Sequence, residues 1–186
     1  METGQDMKTD SDASIVKASL AGDRNAFGAL VEKYEKRLFN TALRIVGDAE
    51  DAMDATQSAF VKMYEKLGTY NSDYRFFSWA YRTLLNESIN IVKRRRPLER
   101  LDDSLEAGSK NPEEQYRETE ASRHMDEALL ELETGERTVI VLKHFQHLSY
   151  REMSEIIGIP EKTIKSRLFT ARRRLRSVIL GKGLLR

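Results

Sequence analysis

Trp79, Arg82, Asn86, Asn90 and Lys93 recur at steps of three or four, so a helix through them carries all five on one face. Aromatic rings stack on unpaired bases, amides bond base edges and cations track phosphates. The set therefore suits single-stranded nucleic acid. Asparagine forms helix poorly and needs a reason to stand in one, which weights Asn86. The alternative for Trp79 is a packing anchor, and the stripe alone leaves both readings open.

A second group lies near the C-terminus. Lys162, Lys165, Arg167, Arg172, Arg173, Arg174 and Arg176 fall in a span that contains no acid. Ser149-Tyr150-Arg151-Glu152 fits a capping box, in which serine and glutamate satisfy each other's backbone N–H groups. The helix it opens carries Met153, Ile156 and Ile157 and ends at Gly158. Ile159-Pro160 makes a tight turn, and a long helix follows from about Glu161. On that helix Ile164, Leu168, Ala171 and Leu175 form one stripe, while Lys165, Phe169, Arg172 and Arg176 form another. A short helix, a tight turn and a basic second helix are the parts of a helix-turn-helix, whose second helix reaches base edges in the major groove. An ordinary helical hairpin with a solvated basic face is the competing explanation. The missing acids favour DNA.

These groups need helices to hold them, and the pattern supplies helices throughout. A short one is predicted over Asp12 to Leu20. A longer one runs from about Asn25 to Val46, with Phe27, Leu30, Val31, Tyr34, Leu38, Ala42 and Ile45 at helical spacing. A third spans roughly Ala49 to Leu67, with Phe60, Met63, Tyr64 and Leu67 as its apolar end. A loop over Gly68 to Arg75 leads to a fourth, Phe76 to Arg96, which Pro97 is expected to stop. Leu98 to Glu120 holds Glu99, Asp102, Asp103, Glu106, Glu113, Glu114, Glu118 and Glu120 against three bases, with Gly108 and Asn111-Pro112 and little apolar periodicity. That is the composition of a linker. Beyond it Met125, Ala128, Leu129 and Leu132 mark another helix, Thr134-Gly135 breaks it, and a short helix covers about Glu136 to Phe145. The fold class expected is all-α: two small helical domains joined by a flexible acidic linker.

Composition excludes several functions. The 186 residues carry 40% apolar and 33% charged side chains, with net charge +1. No stretch approaches the roughly 20 apolar residues of a membrane helix, so no membrane insertion is expected. With no cysteine, disulfides and thiolate metal sites are excluded and a cytoplasmic location is the default. The net charge conceals blocks: basic Lys93-Arg94-Arg95-Arg96, the acidic segment, then the basic C-terminal helix. Two polyanion-facing modules on an acidic tether would produce that order. His144 and His147 lack the further ligands of a metal site, and Gly181-Lys182-Gly183 lacks the spacing of a phosphate loop. No enzyme, catalytic residue, metal or other cofactor is expected.

Taken in order, these residues resemble the sigma-70 family, in its extracytoplasmic-function branch. Leu20-Ala21-Gly22-Asp23, Ala26-Phe27 and Leu30-Val31 are similar to the opening of the family's region 2. Asp51-Ala52-Met53-Asp54-Ala55-Thr56-Gln57-Ser58-Ala59-Phe60 is similar to its polymerase-docking helix. Phe76 to Arg96 resembles its promoter-melting helix. Leu148 to Met153, Thr163 to Leu168 and Ala171-Arg172 resemble region 4. The resemblance implies a sigma factor that binds core RNA polymerase, directs it to −10 and −35 promoter elements and promotes DNA opening.

By the same resemblance Asp51, Asp54, Gln57 and Phe60 face the clamp helices of the polymerase's largest subunit. Trp79, Arg82, Asn86, Asn90 and Lys93 take the unwound −10 element. Lys162, Thr163, Lys165, Ser166, Arg167, Arg172 and Arg173 read the −35 element as duplex. The implied organisation is an N-terminal extension and short helix over 1–22, region 2 over 23–97, the acidic linker over 98–121, and region 4 over 122–186. An anti-sigma factor is the further partner implied. Met53 stands where the family often has an acid, and Lys162 where it usually has glycine. The rival reading is a stand-alone helix-turn-helix regulator binding operator DNA, which leaves the polar stripe and the Asp51 to Phe60 segment without a role.

Overall fold

The computed structural model describes residues 7–72, 74–99 and 120–182, and all regular structure among them is helical. The helices are α1 (Met7–Leu20), α2 (Arg24–Val46), α3 (Ala49–Glu65), α4 (Phe76–Glu99), α5 (Glu120–Leu130), α6 (Thr134–Ile140), α7 (Tyr150–Ile157) and α8 (Glu161–Gly181). A 3-10 turn, Leu67–Thr69, follows α3, and a π turn, Val141–Phe145, follows α6. No described helix is long and apolar enough to cross a membrane.

Side chains at the helix ends fix the boundaries. Asp23 accepts from the N–H groups of Asn25 and Ala26 at 2.9 and 3.3 Å and opens α2. Asp48 accepts from Asp51 at 2.9 Å and opens α3. Between them Gly47 closes α2 at φ +83°, a left-handed position that favours glycine. Ser149 and Glu152 form the expected box: the serine hydroxyl accepts from Glu152 N at 3.2 Å, and the carboxylate accepts from Ser149 N at 2.8 Å. Ser149→Ala should lower stability by about 1 kcal/mol. The check is the midpoint of urea unfolding at constant slope; an unmoved midpoint would mean the cap contributes nothing.

The N-terminal helices pack around Leu30, Tyr34, Leu38 and Ile45 of α2 and Tyr81, Leu84 and Leu85 of α4. Alanines 52, 55 and 59 of α3 are fully buried, and their small size lets α3 approach both neighbours closely. On α1, Asp12 is buried, accepting from Tyr34 Oη at 2.5 Å and from the Lys33 ammonium. Burial first, then the Asp12 bond and charge, pushes the Tyr34 hydroxyl far above its ordinary pKa. The C-terminal helices close around Leu129, Val139, Leu142, Met153, Ile156, Ile164, Leu168 and Ala171. The buried apolar residues of both groups form one continuous cluster. Either half thus contributes large side chains, each stabilising by about 1.5–3 kcal/mol when fully buried.

Several boundaries differ from the sequence expectation. Proline does not stop α4, which runs on to Glu99. Proline removes the donor for the carbonyl four residues back, and only two residues of helix follow it here. The expected short helix over Glu136 to Phe145 starts earlier, at Thr134, and its last turn widens to a π turn in which Gln146 N donates to Val141 O at 3.1 Å. The acidic linker expected over 98–121 lies almost wholly outside the described residues, as does the start of the 1–22 extension.

Candidate functional site: three exposed helix faces

On α3 the buried row of Ala52, Ala55, Thr56, Ala59, Phe60 and Met63 turns every other position outward. Asp54 and Gln57 are exposed as the sequence suggests. Beside them stand Met53, Val61 and Tyr64, each about half exposed, making an apolar ridge that periodicity alone did not single out. Its signal was there in part, in Met53 and Val61, which fall out of phase with the core stripe. Tyr64, expected in the apolar end of the helix, stands outside and meets Phe27 edge-on at 5.1 Å. Phe60 moves the other way. It is buried in the core and supports the ridge from beneath rather than standing on it. Asp51 is half-buried and paired with the Arg95 guanidinium, which also lies 3.4 Å from Asp48. The basic run ending α4 is thereby tied to the start of α3.

The α4 stripe is contiguous. Arg82, Asn86, Asn90 and Lys93 are exposed along it. Trp79 is half-buried, with its ring 5.5 Å from Tyr70 and 5.7 Å from Phe76. It is anchored in an aromatic cluster while keeping part of its surface open. Tyr70 is held in turn by donating its hydroxyl to the Tyr74 carbonyl. The Arg82 guanidinium is engaged: it donates to the backbone carbonyls of Glu155 at 2.9 Å and Ile156 at 3.3 Å.

On α8, Ile164, Leu168 and Ala171 face inward, leaving Lys162, Thr163, Lys165, Ser166, Phe169, Arg172, Arg173 and Arg176 exposed. Phe169 stands out at 62% exposure, and the Arg173 guanidinium lies 5.9 Å from its ring centre. Lys165 lies 5.2 Å over the Tyr150 ring, so α7 steadies one basic side chain of α8. Arg172 donates to His144 Nε2 at 3.2 Å, which requires that nitrogen to be unprotonated. Partial burial, then the charges of Arg172 and Lys143, lowers the His144 pKa and favours that neutral form. Arg167 is half-buried on the other flank, about 3.5 Å from where a Cβ on Gly135 would sit. Arg174 pairs with Glu136 at 2.9 Å and Glu133 at 3.4 Å. The free cationic face therefore comprises Lys162, Lys165, Arg173 and Arg176, with Arg172 at its edge. Among the described residues no group of three or more potential metal ligands converges.

Comparison with known proteins follows the same division. A family model described as Sigma-70 region 2 matches residues 30–97, and one described as Sigma-70, region 4 matches residues 122–175. The RNA polymerase sigma-H factor of Pseudomonas aeruginosa is 30% identical over 175 residues, covering 88% of this chain and 91% of that protein. The ECF RNA polymerase sigma factor SigW of Bacillus subtilis is 30% identical over 174 residues, covering 87% and 92%. Among solved structures, CnrH in complex with the cytosolic domain of CnrY matches with a TM-score of 0.72 at 24% identity, over 92% of this chain and 98% of that one. The sigma factor RpoE of Bartonella quintana, in complex with the anti-sigma factor NepR, gives 0.68 at 24% identity, over 82% and 96%.

Proposed function

This chain belongs to the sigma-70 family, in its extracytoplasmic-function branch, and from that premise we propose how its three faces divide the work. As a sigma factor it binds core RNA polymerase and directs it to promoters. Sigma factors are initiation factors rather than enzymes. The α3 ridge, with Asp54 and Gln57 at its centre, docks on the clamp helices of the largest subunit. The α4 stripe takes the unwound −10 strand. The outer face of α8 reads the −35 duplex, and residues 98–121 connect the two DNA-reading modules through the polymerase interior. Work on polymerase and promoter DNA puts the protein in the cytoplasm. Two matching solved structures are complexes, one of CnrH with the cytosolic domain of CnrY and one of a sigma factor with an anti-sigma factor. An anti-sigma factor is the regulatory partner proposed here.

The single observation that carries the −35 assignment is the outer face of α8 from Lys162 to Arg176, which carries no acid and where exposed cations flank Ser166 and Phe169. Lysine at the start of a recognition helix reaches guanine acceptors, and an exposed aromatic ring meets a thymine methyl. Lys165→Ala should cost about 1–3 kcal/mol at the preferred −35 sequence and flatten discrimination between sequences. Arg173→Ala and Arg176→Ala lie further along, where phosphates are met. They should weaken binding to every duplex alike and reduce its salt dependence. Holoenzyme reconstituted with each variant, titrated with labelled promoter duplexes across a salt series, separates the two patterns. Equal losses on every sequence from both groups would leave α8 a source of charge only.

A further inference from the structure

The first turn of α3 and the last turns of α4 meet at three charged side chains. Asp48 is the N-cap of α3, and Asp51 lies in the first turn. Asp51 N donates to Asp48 Oδ1 at 2.9 Å, which sets the two carboxylates close together. Arg95 of α4 bridges them: its Nε pairs with Asp51 Oδ2, and its Nη2 lies 3.4 Å from Asp48 Oδ1. Asp51 Oδ2 is closed off from solvent, and the side chain as a whole is 22% exposed. A cation on another protein has no access to that oxygen while Arg95 holds it. Asp54, one turn further along α3, is exposed and within reach of a partner. The apolar anchoring of α4 ends early by comparison. Among the described residues Ile91 is its last buried side chain and Val92 the last that packs on the core, after which come Lys93-Arg94-Arg95-Arg96. Like charges one turn apart repel, and helix ends fray. Lys93 and Arg94 are exposed, so it is Arg95 that ties this end down.

We propose that Asp51 is a positioning residue rather than a polymerase contact: with Asp48 it grips Arg95 and so holds the basic end of the α4 stripe at a fixed place beside α3. The inference rests on reading that stripe as the single-strand face. Polymerase takes hold of α3 through Asp54 and Gln57, and the Arg95 bridge carries that alignment to Lys93, where strand phosphates are met. A guanidinium suits the task, because its planar fork of donors engages two carboxylates at once and it stays charged at every working pH. A residue that bridges the two helices in this way acts on strand placement without touching either partner.

Arg95→Asp should leave co-elution with core polymerase unchanged while slowing opening of the −10 region about tenfold, the effect of roughly 1.4 kcal/mol lost from strand placement. The exchanged chain, Asp51→Arg with Arg95→Asp, should co-elute and open DNA at the normal rate, although position 95 is then acidic. Permanganate reactivity followed over time, on holoenzyme assembled with each full-length chain, gives the rates. Opening at the wild-type rate in Arg95→Asp overturns the proposal. If the exchanged chain stays slow, Arg95 acts on DNA through its own charge, and the proposal fails. If the exchanged chain no longer co-elutes, Asp51 touches polymerase, and the proposal fails again. A nitroxide on Arg94→Cys, an exposed site in a chain without cysteine, follows the end of α4 directly. Its motion should quicken in Arg95→Asp and slow again in the exchanged chain; equal motion in all three overturns the bridge. Asn86→Ala, more than two turns away, leaves the bridge intact and tests the underlying reading. Normal opening there would strike the stripe, while the nitroxide still decides the bridge.

Discussion

Asp54→Arg together with Gln57→Ala should abolish binding to core RNA polymerase while leaving the chain folded. Both side chains are exposed on α3, opposite a buried row that neither substitution touches, so the fold has no reason to respond. A reversed charge at a contact that becomes desolvated costs about 2–5 kcal/mol, where trimming a rim contact costs far less. Affinity falls tenfold for about every 1.4 kcal/mol lost. Co-elution with core enzyme in gel filtration gives the answer, and an unchanged circular dichroism spectrum secures it. Unaltered co-elution would take the docking role away from this ridge. Phe60→Ala, by contrast, should act on stability, because its ring lies in the core. The pair separates a residue that touches the partner from one that supports the surface touching it.

Trp79→Ala combined with Asn86→Ala should allow the holoenzyme to bind promoter DNA yet slow strand opening. Stacking is worth about 1–3 kcal/mol per base and is available only to unstacked bases, so its loss falls on the open complex. Trp79 also packs against Tyr70 and Phe76, and its truncation alone mixes packing loss with lost stacking. Asn86 is exposed and carries no such ambiguity. A defect in the Asn86 single variant, enlarged in the double one, identifies strand contact. Permanganate reactivity of the −10 thymines reports it directly. Normal reactivity in folded protein would leave the stripe a structural feature.

The parts of this molecule that follow local rules were readable from the chain alone. The capping box at Ser149, the helix end at Gly158 and the α8 core stripe depend on neighbours a few residues apart, and each stands where expected. Pro97 misled by three residues, since α4 passes through it and ends at Glu99. Asp51 and Phe60 show a second limit. A motif marks positions along a helix, but whether a side chain points at a partner or into the core depends on helices distant in sequence. Arg95 reaches Asp51 across the fold, and α2 and α4 enclose the inner side of α3. The bonds of Arg82 to the Glu155 and Ile156 carbonyls were invisible for the same reason, since a carbonyl acceptor leaves no mark in the residue type. Met53 and Val61 were visible in principle as apolar residues out of phase with the stripe, whereas Tyr64 is in phase with Phe60 and gave no such sign.

The alanines of α3 have a consequence for how such a protein changes over generations. Because the inward positions 52, 55 and 59 are small and fully enclosed, the large side chains of the first three turns all stand outward. The surface at Met53, Asp54, Gln57 and Val61 is thereby written almost independently of the interior. Exchanges at exposed positions usually alter stability by no more than about 0.5 kcal/mol. A lineage can revise what this helix recognises one residue at a time, while its core remains untouched.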